Sequence, residues 1–155
     1  NFHGIGTPKA LTLIAALELG NRKRSTKAME RAQITSSRDA YEIMAPILMD
    51  RVYEEFWIIM LNRANKVIDS KCMSEGGVAG TVADPKKIFR HALAMNASNI
   101  VLAHNHPSGT VTPSDADIQL TRKMKDSGIL LDLFVVDHII IGDENYYSFA
   151  DDGRL

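Results

Sequence analysis

Asn99-Ile100-Val101-Leu102-Ala103-His104-Asn105-His106-Pro107-Ser108-Gly109 is the stretch whose reading decides the fold. Asn99 to Ala103 is short, aliphatic and bounded by a polar residue, which predicts a buried strand. Side chains two apart on an extended chain point to the same side, so His104 and His106 present their imidazoles to one region of space. Pro107-Ser108-Gly109 turns the chain, with Ser108 and Gly109 shaping the turn beneath the histidines. A helix follows. Thr112 reads as its N-cap, Pro113 as its first residue and Asp115 as the partner in a Thr-x-x-Asp box. It is predicted to end near Ser127, with Gly128 as the stop. Ser114 and Asp117, three apart, share a face of it. Two His and a carboxylate, with a fourth position open, are the donor set of a catalytic zinc site. Spacing alone equally fits structural histidines and acids placed to favour a helix N-terminus.

The order His104, His106, Ser114, Asp117 resembles the signature of the JAMM (MPN+/JAB) metalloprotease family. The longer string AHNHPSGTVTPSDAD, with VVDHIIIG and YYSFADDGRL downstream, is similar to the RadC branch of that family. The resemblance runs from about residue 30 to the end. It implies a cytidine-deaminase-like three-layer fold, Zn2+ held by His104, His106 and Asp117, and hydrolysis of a peptide or isopeptide bond. It also implies an upstream glutamate acting as general acid/base on the water that the metal activates. The family's Glu-x-Phe context selects Glu54 in Glu54-Glu55-Phe56, with Glu55 as the neighbouring candidate. Ser114 is then placed to steady the oxyanion that forms in the reaction. RadC proteins also carry an association with DNA repair, which the residues of the hydrolase portion do not themselves carry.

The chain has 155 residues, 45% hydrophobic and 24% charged, enough for one core and a small appendage in a soluble globular protein. The single cysteine, Cys72, excludes an intramolecular disulfide and a cysteine-based zinc site, and points to a reducing, cytoplasmic setting. No apolar stretch is long enough to span a membrane and no signal peptide is visible. A first residue of Asn1 rather than Met is expected of a piece of a longer protein. The sequence leaves the oligomeric state open.

The net charge of −1 hides an asymmetry, with +4 in residues 1–34 and −5 in residues 35–155. Gly4-Ile5-Gly6 precedes Thr7-Pro8, which cap and open a helix that Gly20 is expected to close. This resembles part of a helix-hairpin-helix motif, in which backbone N–H groups at the turn hold DNA phosphates. On that resemblance Gly4, Gly6 and Lys9 are the DNA-contacting residues; a small helical hairpin packed on a neighbour fits equally well. Residues 21–34 read as a basic linker, which leaves 35–155 as the hydrolase domain.

Between these motifs helix and strand patterns alternate. Ser36-x-x-Asp39 opens a helix to about Met49, and Asp84-Pro85 one to about Met95. Strands are expected near 55–61, 66–73, 99–103, 130–136, 138–141 and 146–149, with Asn62 to Asn65 as a hairpin turn and Gly80 to Val82 extended. The pattern predicts an α/β domain with a mixed β-sheet flanked by helices. Of the remaining candidates, His138 reads as a core histidine or one behind the site, His91 as structural and His3 as exposed. Asn105 faces away from the ligands and Trp57 belongs to the core. Two functions fit: a zinc-dependent amide hydrolase acting on a protein or peptide, and a DNA-repair-associated nucleic-acid-binding module whose metal site is structural or acts on nucleic acid. A structural site calls for a fourth protein ligand, and the pattern supplies three.

Overall fold

The computed structural model describes residues 6–29, 32–76 and 83–155. His3, Gly4 and the stretch Gly80 to Val82 lie outside the described residues. Along the chain come α1 (Thr7–Met29), α2 (Ser37–Leu48), β1 (Glu55–Leu61), β2 (Val67–Glu75), α3 (Pro85–Ala94), β3 (Asn99–Asn105), α4 (Asp115–Leu130), β4 (Phe134–Ile141) and β5 (Tyr146–Ser148). The strands form one mixed sheet in the order β2-β1-β3-β4-β5. β3 and β4 are parallel and joined by α4, while the other neighbours are antiparallel.

Strand parity builds the three layers. Ile59, Leu61, Val101, Ala103, Ile139 and Ile141 point to one face, where Ala40, Tyr41, Met44 and Leu48 of α2 cover them. Phe56, Ile58, Met60, Ile100 and Leu102 point to the other, against Ile88, Phe89 and Ala92 of α3 and Met124 of α4. The central strands are apolar on both faces because helices cover both. Burying such side chains contributes roughly 1.5–3 kcal/mol each, which holds β1 and β3 in register at the centre.

Local signals place the ends. Ser36 and Asp39 form a reciprocal capping box on α2, and Asp84 caps α3 with Pro85 at its start. The turn between β1 and β2 closes at Asn65, whose φ of 55° is left-handed, a conformation that asparagine tolerates.

Four expectations are corrected. Helix α4 is capped by Ser114, not Thr112, because Ser114 and Asp117 make both bonds of a capping box. It runs through Gly128 to Leu130, and the Gly128 carbonyl instead accepts the Leu131 and Leu133 amides at the helix end. The two strands expected over 130–141 are one, β4. Asp137 does not interrupt it, since its carboxylate is buried and accepts from Ser148 Oγ and the amides of His138 and Ala150. Helix α1 does not stop at Gly20. A helical glycine costs only about 1 kcal/mol relative to alanine, and a Glu18–Arg22 pair at 2.8 Å spans it. The stretch read as a linker is therefore helical to Met29. By Ile34 the chain has joined the domain, with its amide 2.8 Å from the Asn65 carbonyl and its side chain in the core. No helix among the described residues is long and apolar enough to cross a membrane.

Candidate metal centre

The C-terminal end of β3 and the first turn of α4 meet beside β4. His104 is the sixth residue of β3 and is fully buried; His106 lies one residue beyond the strand and is half-buried. Their Nε2 atoms are 3.0 Å apart. Asp117 enters from α4, with Oδ1 3.3 Å from His104 Nε2 and Oδ2 3.7 Å from His106 Nε2. Two ligands bonded to zinc at about 2.0–2.1 Å and a tetrahedral angle stand roughly 3.3–3.4 Å apart. The three side chains are therefore already spaced for a cation, and among the described residues they are the one such group of His, Cys, Asp and Glu. With three donors, a fourth coordination position is left for water or substrate.

Each donor is held from behind. The His106 Nδ1 lies 2.8 Å from the Thr110 carbonyl. A carbonyl only accepts, so Nδ1 carries a hydrogen; in the neutral ring the Nε2 lone pair then faces the site, and in the charged ring Nε2–H donates into it. The loop carrying this carbonyl is pinned against the turn after β4. The His106 amide donates to Ile141 O at 3.0 Å, and a Cβ at Gly142 would collide with the Gly109 carbonyl. Gly142→Ala is expected to displace this loop and cost roughly 1–3 kcal/mol, measurable as a lowered midpoint in thermal unfolding. Asp117 accepts from the Ser114 amide at 2.8 Å and from the Ser114 hydroxyl at 2.6 Å. The capping box that starts the helix thus also aims the carboxylate. Ser114 is the cap itself rather than a first-turn residue, and its single hydroxyl hydrogen lies on Asp117.

The strand register sets the two glutamates on opposite sides. Phe56 pairs with His104 across β1 and β3, so continuing the antiparallel pairing sets Glu54 opposite His106 and Glu55 opposite Asn105. Glu54 thus belongs to the ligand face, and its charge acts to raise the pKa of His106. Glu55 turns the other way, accepting from Trp57 Nε1 at 2.8 Å and pairing with Arg51 at 3.3 Å. Asn105, on that same opposite face, is structural. It accepts the Glu55 amide at 2.8 Å and donates to the Tyr53 carbonyl at 3.1 Å. Trp57 is only half-buried and packs at the edge of the α2-side core.

Behind the ligands lies a histidine whose contact the sequence did not reveal in detail. His138, fully buried, places Nε2 2.9 Å from His104 Nδ1 and Nδ1 2.6 Å from Thr121 Oγ1. His91, by contrast, sits on α3 with a buried Nε2 that has no partner among the described residues.

The electrostatics follow from burial and pairing. Burial pushes His104 down to about 4 and His138 well below the ordinary imidazole value. His106 is raised, chiefly by its hydrogen bond to Asp117. Burial works to raise Asp117, but the bond to His106, the charge of His104 and the Ser114 bonds outweigh it and hold the carboxyl well below its usual range. A cation requires neutral imidazoles and an ionised carboxylate; His104 and Asp117 are held in those forms, whereas His106 gives up a proton on binding. As pH falls below about 6.5, the unfolded chain protonates the histidines before the folded one does, so stability drops toward pH 4. Asp117 extends that loss at lower pH, and His106 opposes it. His104 alone is expected to cost the metal-free protein on the order of 2–3 kcal/mol between pH 7.5 and 4.5, read by urea unfolding in a chelator; constant or rising stability would contradict this.

Gly6, the described part of the proposed DNA-contacting turn, lies at the start of α1, where its carbonyl accepts the Ala10 amide at 3.1 Å. Lys9 is on the first turns of the same helix.

Comparison with known proteins agrees with the geometry. Residues 34–154 match the family described as the RadC-like JAB domain. The chain is 47% identical over 152 residues to a UPF0758 protein of Flavobacterium johnsoniae, covering 98% of this chain and 66% of that one. It is 47% identical over 156 residues to a UPF0758 protein of Porphyromonas gingivalis, covering 100% of this chain and 69% of that one. A UPF0758 protein of Staphylococcus aureus (strain bovine RF122 / ET3-1) is 42% identical over 150 residues, covering 97% of this chain and 66% of that one. The chain thus spans about two thirds of the length of these relatives. With its sheet order, its His–x–His at the end of β3 and the carboxylate brought to it by α4, the chain belongs to the RadC-like JAB domain family.

Proposed function

We propose that the domain is a zinc-dependent hydrolase that cleaves an amide bond, peptide or isopeptide, in a protein substrate. The observation that carries this reading is the convergence of His104 Nε2, His106 Nε2 and the Asp117 carboxylate with no fourth protein ligand beside them among the described residues. A zinc ion held there supplies a Lewis acid and lowers the pKa of a water to about 7. The residues around it divide the remaining work. Glu54, just before β1 and facing His106, takes the proton from the attacking water and returns one to the leaving amine. Ser114 has one hydroxyl hydrogen, which holds Asp117 in the resting arrangement and can turn to polarise the carbonyl as negative charge develops on it. Burial of His104 keeps its imidazole neutral and available as a ligand. The test is a panel of peptide and isopeptide substrates with zinc-loaded protein. Cleavage should vanish with a chelator and return with added zinc. Zinc-independent cleavage would overturn the assignment.

A second role rests on the charge division, with +4 in residues 1–34 against −5 in the rest, and on the amide donors at the start of α1. In this reading the basic segment delivers the hydrolase to DNA through phosphate contacts by Gly4, Gly6 and Lys9. Binding of duplex DNA should weaken steeply with salt and disappear on deleting residues 1–29, a cut that leaves Ile34 in the core. Unchanged binding after that deletion would remove the role.

A further inference from the structure

The chain of buried hydrogen bonds behind His104 has a direction. Thr121 Oγ1 lies 2.6 Å from the Asp117 carbonyl, one helical turn earlier on α4, and 2.6 Å from His138 Nδ1. A carbonyl oxygen only accepts, so it takes the single hydroxyl hydrogen of Thr121. Toward His138 the hydroxyl then has only lone pairs to offer, and His138 must carry its hydrogen on Nδ1. A neutral imidazole has one N–H, so His138 Nε2 is an acceptor. The atom facing it at 2.9 Å, His104 Nδ1, must donate. That leaves the His104 Nε2 lone pair pointing toward His106 and Asp117.

We propose that Thr121 and His138 are positioning residues that fix His104 in the tautomer able to bind a metal through Nε2. The proposal rests on the metal-centre reading above. The usual outer partner of a ligating histidine is a carboxylate, a backbone carbonyl or water. His106 has such a partner in the Thr110 carbonyl. His104 instead leans on a second imidazole, and the acceptor at the end of that chain is a threonine hydroxyl anchored to the same helix that carries Asp117. The surroundings suit a fixed tautomer. His138 is fully buried. Its ring stacks on Phe149 at 4.9 Å and 8° and meets Phe56 at 5.7 Å. Asp117 and Thr121 sit four residues apart on one helix, so one element sets both the third ligand and the tautomer of the first.

Removing the hydroxyl reverses the chain. In Thr121→Val, an Nδ1–H on His138 would be buried without an acceptor. His138 therefore shifts its hydrogen to Nε2 and points it at His104 Nδ1. The His104 hydrogen is then driven to Nε2, onto the atom that must bind the metal. Thr121→Ser keeps a hydroxyl and keeps the direction.

Two readouts test this in the whole chain. Long-range proton–nitrogen NMR reads imidazole tautomers in the metal-free protein, and competition with a chromophoric chelator reads zinc affinity. Wild type and Thr121→Ser should show His104 with its hydrogen on Nδ1. Thr121→Val should show it on Nε2, with zinc affinity lowered roughly 10–100-fold, the usual cost of losing such an outer partner. His138→Phe, a ring of similar shape among phenylalanines, should weaken zinc to a similar degree. A merely structural role for Thr121 would lower the unfolding midpoint without moving the tautomer. The proposal is overturned if wild-type His104 carries its hydrogen on Nε2, or if Thr121→Val leaves tautomer and affinity unchanged. Failure of wild type to bind zinc at all would instead refute the hydrolase reading, while the tautomer measurement would still decide the relay.

Discussion

Glu54→Gln is expected to lower amide hydrolysis by roughly 10²–10⁴-fold, the contribution of a positioned general acid/base, while zinc content stays at the wild-type level. Phe56 faces His104 across the β1–β3 pair, and two residues earlier on the same side stands Glu54, opposite His106. Glu54 is not one of the three donors, so the amide should leave the centre loaded and remove only proton transfer. Glu55→Gln is the matched control. Glu55 lies on the other face, tied to Trp57 and Arg51, and its loss should leave the rate within about three-fold, since it touches neither donors nor water. Steady-state rates on a cleaved substrate, with metal content measured on the same samples, check both. Equal losses in the two variants, or zinc lost with Glu54, would contradict the assignment.

His104→Ala and Asp117→Asn should each reduce bound zinc from about one per chain to near none. The two variants fail for different reasons. Alanine removes a buried donor and leaves His138 Nε2 without its partner. Asparagine keeps the shape of Asp117 and can still accept from the Ser114 amide, but it lacks the charge that Ser114, His104 and His106 together hold in the ionised form. Asp117→Asn should therefore keep α4 capped and the fold intact by circular dichroism while losing metal. Metal analysis by mass spectrometry after gel filtration reads the loss. Retention of zinc in both variants would place the centre elsewhere.

Much of this centre is legible in the sequence, because its parts obey short periods. The two-residue period of a strand put His104 and His106 together, and the apolar run before them announced a strand covered on both faces. Other features depended on choices that short-range signals do not make. Thr112-x-x-Asp115 and Ser114-x-x-Asp117 are overlapping capping patterns two residues apart. Only the folded loop shows that the second closes its two bonds, and with it that Ser114 orients the ligand. Glu54 and Glu55 differ by one position, and an extended chain turns that one position into opposite faces; only the pairing with β3 separates them. The Thr121–His138 contact joins α4 to β4 over 17 residues of sequence. Its one local trace was that Thr121 follows Asp117 by a helical turn. The strands expected over 130–136 and 138–141 leave out Asp137, and acceptor bonds that help bury it come from the far side of the β4–β5 turn. Gly20 looked like a helix stop, but its cost is small beside that of starting a helix anew on its far side.

The most direct test of the account is the anomalous diffraction of a crystal of the protein soaked in zinc. One strong peak is expected within about 2.0–2.2 Å of His104 Nε2, His106 Nε2 and an Asp117 oxygen, with a solvent oxygen as the fourth neighbour. A peak elsewhere, a fourth protein ligand closing the shell, or no peak between these three side chains would contradict it.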